Sequence, residues 1–173
     1  RPNKLIYLGV IHPNRMLEEL IQALSNSGVE FDIVGPGEPE YVKKIKEITS
    51  DIRNINVLPA VKEVMVDDLL SGYSIGLAFY SKTNLNNYYC APNKVFQYIM
   101  NRVNIITNDY PGLKSVVEEN SIGVCLSEIT PTAIRAAVDS IIEKGFNKNF
   151  HDGILNSYSW ESQIPEFKRI FTE

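Results

Sequence analysis

Residues 5–34 read LIYLGVIHPNRMLEELIQALSNSGVEFDIV, and two periods alternate within them. Leu5-Ile6-Tyr7-Leu8-Gly9-Val10 is a short continuous apolar run ending near a glycine, as a strand buried on both faces should be. From Arg15 to Ser25 the apolar positions Met16, Leu17, Leu20, Ile21 and Leu24 recur at helical spacing and fall on one face. Phe31-Asp32-Ile33-Val34 then returns to the first pattern and is stopped by Gly35-Pro36-Gly37, read as a plain turn. A strand, a helix and a second strand in this order make a parallel crossover unit.

The same alternation runs outward along the chain. Helices are expected at Pro39–Ile48, with Tyr41, Val42, Ile45 and Ile48 inward, and at Val61–Leu70, with Val64, Val66, Leu69 and Leu70 inward. Asn54–Leu58, Ile75–Phe79, Val103–Thr107 and Gly123–Leu126 read as strands. Pro92–Met100, Pro111–Glu118 and Thr132–Lys144 read as helices. The stretch from Asn147 to Phe171 is mostly helical, with Trp160 as the expected docking anchor. The expected fold is α/β: a doubly wound, Rossmann-like parallel sheet of about six strands, with helices on both faces and a helical C-terminal extension. Residues 1–173 form one domain in this reading, and 145–173 are the extension.

Composition sets bounds on function. The chain has 173 residues, 44% hydrophobic and 22% charged, which is the balance of a globular domain. Its 17 basic residues against 21 acidic ones give a net charge of −4, which argues against nucleic acid as a partner, because counterion release needs clustered cations. No apolar run reaches the roughly 20 residues that a membrane-crossing helix needs. Cys90 and Cys125 fit no disulfide framework or zinc spacing and are read as small buried hydrophobes, and no metal site is expected. The chain starts at Arg1 and runs through Pro2-Asn3-Lys4 straight into a strand, so we read it as a piece of a longer protein.

Ligands of such sheets bind at the carboxyl ends of the strands, so the strand-to-helix loops are where to search. Tyr80 to Ala91 is long, polar and aromatic, and leads into Pro92-Asn93-Lys94 at a helix start. Free amides and the helix dipole favour an anion there, while Lys94 opposes the dipole unless an anion sits nearby; the alternative is a solvated lysine. Gln97 lies one turn on and can donate to and accept from a diol. Gly9 permits close approach of a ligand to the backbone. Arg15 opens the next helix and is a phosphate-clamp candidate, the alternative being a pair with Glu18 or Glu19. His12 reads more readily as surface than as catalyst. No GxGxxG, Walker A, HExxH or nucleophile-elbow pattern occurs.

Taken together, Ala91-Pro92-Asn93-Lys94-Val95-Phe96-Gln97-Tyr98-Ile99-Met100 and Val103–Thr107 followed by Asn108-Asp109-Tyr110-Pro111-Gly112 resemble the C-terminal, nucleotide-sugar-binding domain of GT-B glycosyltransferases of the glycosyl transferases group 1 family. Members typically read Pro-x-Lys-Leu-Phe-Glu-Tyr, an apolar strand, then Asp-x-Pro-Gly. Tyr7-Leu8-Gly9, Ile33-Val34-Gly35, Ile122-Gly123-Val124 and Ser159-Trp160-Glu161 support the match.

The resemblance implies a hexosyltransferase-like, metal-independent enzyme that moves a sugar from a UDP- or GDP-sugar to a glycan or lipid-linked acceptor, with no further cofactor. It places Arg15 and Lys94 as the catalytic cations on the diphosphate, and Asn93 and Lys94 as backbone donors to it. Gln97 stands where the family has the ribose-binding Glu. Val61 stands where main chain meets the base, and Tyr89 where relatives often carry a Glu near the donor sugar. It also implies that the acceptor domain lies N-terminal to this chain, that the isolated piece is inactive, and that the whole enzyme works in the cytoplasm, with peripheral association at the inner membrane face as an option. A catalytically inactive domain of the same fold, or half of a nucleotide-sugar epimerase, are the competing readings.

Overall fold

A computed structural model describes residues 3–83, 85–145 and 149–170, so Arg1, Pro2, Asn147 and Phe171 lie outside the described residues. The strands are β1 (Lys4–Leu8), β2 (Glu30–Val34), β3 (Ile55–Leu58), β4 (Ile75–Ala78), β5 (Asn104–Asn108) and β6 (Gly123–Leu126). Between and after them run α1 (Leu17–Leu24), α2 (Pro39–Thr49), α3 (Val66–Leu70), α4 (Leu85–Tyr88), α5 (Asn93–Met100), α6 (Pro111–Val117), α7 (Pro131–Lys144), α8 (Asp152–Ser157) and α9 (Trp160–Ile170). The sheet has six strands in the order β3-β2-β1-β4-β5-β6, and every pairing is parallel. This is the doubly wound Rossmann-like architecture that the alternating periods predict.

Strand side chains point to alternate faces, and here both faces are covered. Leu5 and Tyr7 of β1 join Phe31, Ile33, Leu77 and Ile106 in one core under α1, α2 and α7. Ile6 and Leu8 join Val34, Ala78 and Ile105 in the other core, under α3, α5, α6 and α8. That division explains why the strands read as unbroken apolar runs instead of alternating ones.

Four local expectations need correction. Val64 is 83% exposed, because residues Glu63–Met65 form a 3-10 turn and the α-helix starts only at Val66, which rotates Val64 outward. Ile48 is only partly covered, at 40% exposed, and Thr49 takes the buried place at the end of α2. Trp160 is 65% exposed and touches Phe167 of its own helix, whereas Phe150 and Ile154 are buried and anchor the C-terminal segment, with Tyr158 packed on Phe96. Cys90 and Cys125 are free thiols but only half-buried. No helix among the described residues is long and apolar enough to cross a membrane.

Candidate functional site

The strand order reverses between β1 and β4, and their carboxyl ends part there. The β1–β4 register runs only from Leu5↔Ile75 to Tyr7↔Leu77, so the Leu8 amide needs another acceptor. The Tyr98 hydroxyl supplies it at 3.0 Å, and lies 3.4 Å from the carbonyls of Ile6 and Leu77, to which it donates. The Tyr98 ring lies across Gly76, where an added Cβ would fall 2.5 Å from ring carbons. Tyr98 of α5 thereby pins the helix over the switch point.

Beyond β1 the chain turns sharply. Gly9 adopts φ +138° and donates to the Val34 carbonyl, while Ile11 donates to Pro36 at 2.7 Å. Gly35, at φ +154°, leaves room for the Gly9 carbonyl, from which a Cβ would lie 1.9 Å away. Gly35-Pro36-Gly37 is therefore more than the expected plain turn; it zips onto the loop after β1, and Gly37 bridges to Ile11. His12 accepts from the Asn14 amide through Nδ1 and caps a 3-10 turn over Pro13–Arg15, a structural role for an exposed histidine.

That turn delivers Arg15. Its guanidinium stacks 4.6 Å from the centroid of the Tyr80 ring, and it forms no ion pair with Glu18 or Glu19 among the described residues. Glu18 is engaged instead with Tyr41 and Lys44. Tyr80 is itself held from several sides. Its amide donates to Asn108 Oδ1 at 2.7 Å, its carbonyl accepts from the Tyr110 hydroxyl at 2.8 Å, and the next amide, Ser81, donates to the Asn14 carbonyl.

The opposite wall is the start of α5. Pro92 is its N-cap in extended backbone, with no side-chain cap hydrogen bond, so no side chain plugs the helix end. Lys94 is not solvated, contrary to the simpler sequence reading. Its Nζ is withdrawn from solvent, has no hydrogen-bond partner among the described residues, and lies 3.9 Å from the Tyr7 ring centroid and 5.5 Å from that of Tyr80. Burial, with the nearby Arg15 charge adding to it, pushes the Lys94 amine down to about 7. Burial also keeps the Tyr7, Tyr80 and Cys90 side chains protonated by raising each above its ordinary value.

These elements enclose a cleft of about 530 Å³ that brings together Gly9, Arg15, Asn93, Lys94 and Gln97. An adjoining hollow of about 230 Å³ shares Gly9 and Gln97 and is closed by Val61. Among the described residues, two cations and no carboxylate line the larger cleft. Tyr89 is 66% exposed and not part of either lining; its ring meets Tyr88 edge-on. Tyr7 and Tyr80 are the site residues that sequence reasoning missed. A second hollow, about 310 Å³ and lined by Asn104, Gly123 and Lys144, lies at the other end of the strands. Among the described residues no three His, Cys, Asp or Glu side chains gather as metal ligands would.

The sequence profile of the glycosyl transferases group 1 family matches residues 1–154. No curated protein sequence matches the chain. Among solved structures, AviGT4, a glycosyltransferase involved in avilamycin A biosynthesis, superposes with a TM-score of 0.73 at 16% identity, covering 98% of this chain and 52% of that one. HepE of Anabaena in complex with UDP and glucose gives 0.77 at 11% identity, covering 99% and 49%. The catalytic domain of cholesterol-α-glucosyltransferase from Helicobacter pylori gives 0.65 at 17% identity, covering 95% and 99%. At these identities the likeness is one of fold, and the chain spans about half the length of AviGT4 and HepE.

Proposed function

The chain belongs to the glycosyl transferases group 1 family, and from that premise we propose that it is the donor-binding domain of an enzyme that transfers a sugar from a nucleotide-sugar to a glycan or lipid-linked acceptor. The observation that carries this reading is the uncapped start of α5, with Lys94 in its first turn, facing Arg15 across a cleft that no carboxylate lines among the described residues, at the point where the strand order reverses. Helix amides and two cations suit a diphosphate, and their attraction grows as the leaving diphosphate gains charge. That differential is what accelerates transfer, and it needs no metal.

In this reading Asn93 and Lys94 offer backbone donors to the diphosphate, while Arg15 and the Lys94 side chain neutralise it. Gly9, lacking a side chain, lets the phosphates approach the backbone. Gln97, common to both hollows, faces the ribose, where a neutral amide binds a diol less strongly than the family's carboxylate would. Val61 places its main chain beside the base. Tyr89, exposed and outside both linings, stands on the sugar side of the site. Residues 1–173 act as one domain, with 145–173 as its helical extension. An N-terminal acceptor domain completes a cytoplasmic, hexosyltransferase-like enzyme, and this chain alone transfers no sugar. UDP is the first nucleotide to test, since HepE is complexed with it.

The test is a titration of the chain with UDP, GDP and ADP followed by amide NMR. Shifts are expected at Gly9, Arg15 and Asn93–Gln97 for at least one nucleotide. Silence there with all of them defeats the assignment.

A further inference from the structure

We propose that Lys94 couples diphosphate binding to the uptake of one proton: its side chain is an uncharged amine in the ligand-free protein and becomes an ammonium when a diphosphate enters. This rests on the reading of the cleft as a diphosphate site.

The groups facing Nζ come from each element around it, and none of them compensates a positive charge. From β1 comes the Tyr7 ring, whose hydroxyl is spent on the Val10 carbonyl at 2.6 Å. From the turn after β1 comes Arg15, a second cation. From the end of β4 comes the Tyr80 ring, already shared with Arg15. Just before α5 stands the Cys90 thiol, kept neutral by burial. Gly9 lies against another side, so closely that a Cβ there would fall 2.9 Å from Nζ. None of these neighbours offers the amine an acceptor, and the approach left to one is the cleft that Lys94 lines.

Magnitudes decide its charge. A desolvated cation–π contact is worth about 2 kcal/mol. Burying an ammonium without a partner costs several kcal/mol, and the Arg15 charge adds to that. The two forms balance near pH 7 and the neutral one wins above it, in line with the amine's depressed value of about 7. A diphosphate reverses each term. It brings negative charge beside Nζ and accepts its hydrogen bonds, so the amine takes a proton from solvent and donates to a phosphate oxygen. Reciprocity follows: affinity falls as pH rises above 7, and departure of the diphosphate returns the proton.

Isothermal titration of the full chain with UDP-glucose and GDP-glucose at pH 8, in buffers of different protonation enthalpy, reads the coupling directly. The diphosphates of these probes have no group titrating near neutrality. Uptake approaching one proton per ligand is expected in the wild type, with affinity falling up to tenfold per pH unit between 7 and 9. Lys94→Arg, which keeps its charge, should bind with no uptake and a flat pH profile, and Lys94→Met should bind more weakly with no uptake. Binding of either probe by the wild type without uptake overturns this proposal and leaves the diphosphate site standing. No binding of either probe overturns both. In the ligand-free chain, acylation of Lys94 by acetic anhydride should be half-maximal near pH 7; half-maximal reaction above pH 10 overturns the proposal independently of any ligand.

Discussion

Asp32, in the middle of β2, and Lys94, in the first turn of α5, are both ionisable groups withdrawn from water, but their surroundings differ in kind. Asp32 is 1% exposed and receives hydrogen bonds from Tyr73 (2.5 Å) and Asn56 (2.8 Å), with Lys4 Nζ at 2.9 Å. Burial alone would raise its carboxyl. The hydrogen bonds from Tyr73, Asn56 and Lys4 outweigh that and hold it below the ordinary value. Lys94 Nζ is buried with no partner among the described residues. A buried ionisable group whose bonding capacity is filled by its own fold serves the fold. One left without partners, at a strand-end cleft, is kept from its charged form at a cost that a ligand can offset.

The largest effect should come from breaking the completed site. Asp32→Ala removes the acceptor that Tyr73 and Asn56 share and the nearer of the two carboxylates beside Lys4, whose other, Glu30, stays at 3.7 Å, and should cost about 3–5 kcal/mol in chemical denaturation. Nucleotide affinity of the folded fraction should be unchanged. A loss below 1 kcal/mol, or a loss of affinity at equal folding, erases the distinction between the two charges.

The complementary change should act with the opposite sign. Lys94→Met removes the amine whose proton affinity folding depresses, and should stabilise the chain at pH 7 by about 2–4 kcal/mol while weakening diphosphate binding. The gain is pH-dependent. The folded amine titrates at about 7 and the unfolded one at 10.5. Between those values the unfolded chain binds more protons, so the wild type gains stability as pH rises, by up to about 1.4 kcal/mol per unit. The gap between variant and wild type should therefore be widest below pH 7 and narrow towards pH 10. Denaturation midpoints of both proteins from pH 6 to 10 check this; a gap that does not change with pH means that Lys94 is not desolvated.

A smaller effect tests the pin over the switch point. Tyr98→Phe keeps the ring on Gly76 but leaves the Leu8 amide without its acceptor, and should cost about 1–3 kcal/mol. It should also weaken nucleotide binding modestly, since α5 carries both Lys94 and Gln97. Denaturation and nucleotide titration of the variant separate the two contributions.

The two groups are not equally legible in the sequence. Lys94 stands out because a cation in the first turn of a helix contradicts the dipole, and a local conflict of that kind survives without tertiary information. Asp32 passed as one polar letter in an apolar run, although a lone carboxylate inside a strand buried on both faces is itself a conflict. Its partners Tyr73 and Asn56 sit on separate strands or loops, and the register that sets Asp32 opposite Asn56 is a property of the sheet. All six strands and their parallel pairing followed from continuous apolar runs separated by helices. The cleft's aromatic floor did not. Tyr7 reads as an ordinary core residue and Tyr80 as part of a polar loop, and only the parting of β1 from β4 puts both beneath the same amine. Val64 and Trp160 depart from their expected places for simpler reasons: a 3-10 turn breaks the helical spacing at Val64, and Phe150 and Ile154, smaller than Trp160, are the buried residues of the C-terminal segment.

The smallest effect sharpens how full the Asp32 site is. Asn56 is exposed, so water can replace its amide when it is removed, and Asn56→Ala should cost only about 0.5–1.5 kcal/mol. It should also make the chain more sensitive to acid. A carboxyl whose folded value is depressed contributes stability above its unfolded value, and that contribution is lost as pH falls through the folded value. With one of its three donors gone, the folded value moves up towards the ordinary 3.8, so the contribution at neutral pH shrinks and its loss on acidification begins at a higher pH. Comparing wild type and Asn56→Ala from pH 6 down to 2 should show the curves converging at the acid end, where the carboxyl is protonated in both. Parallel curves would mean that the amide braces β2 against β3 without acting on the charge.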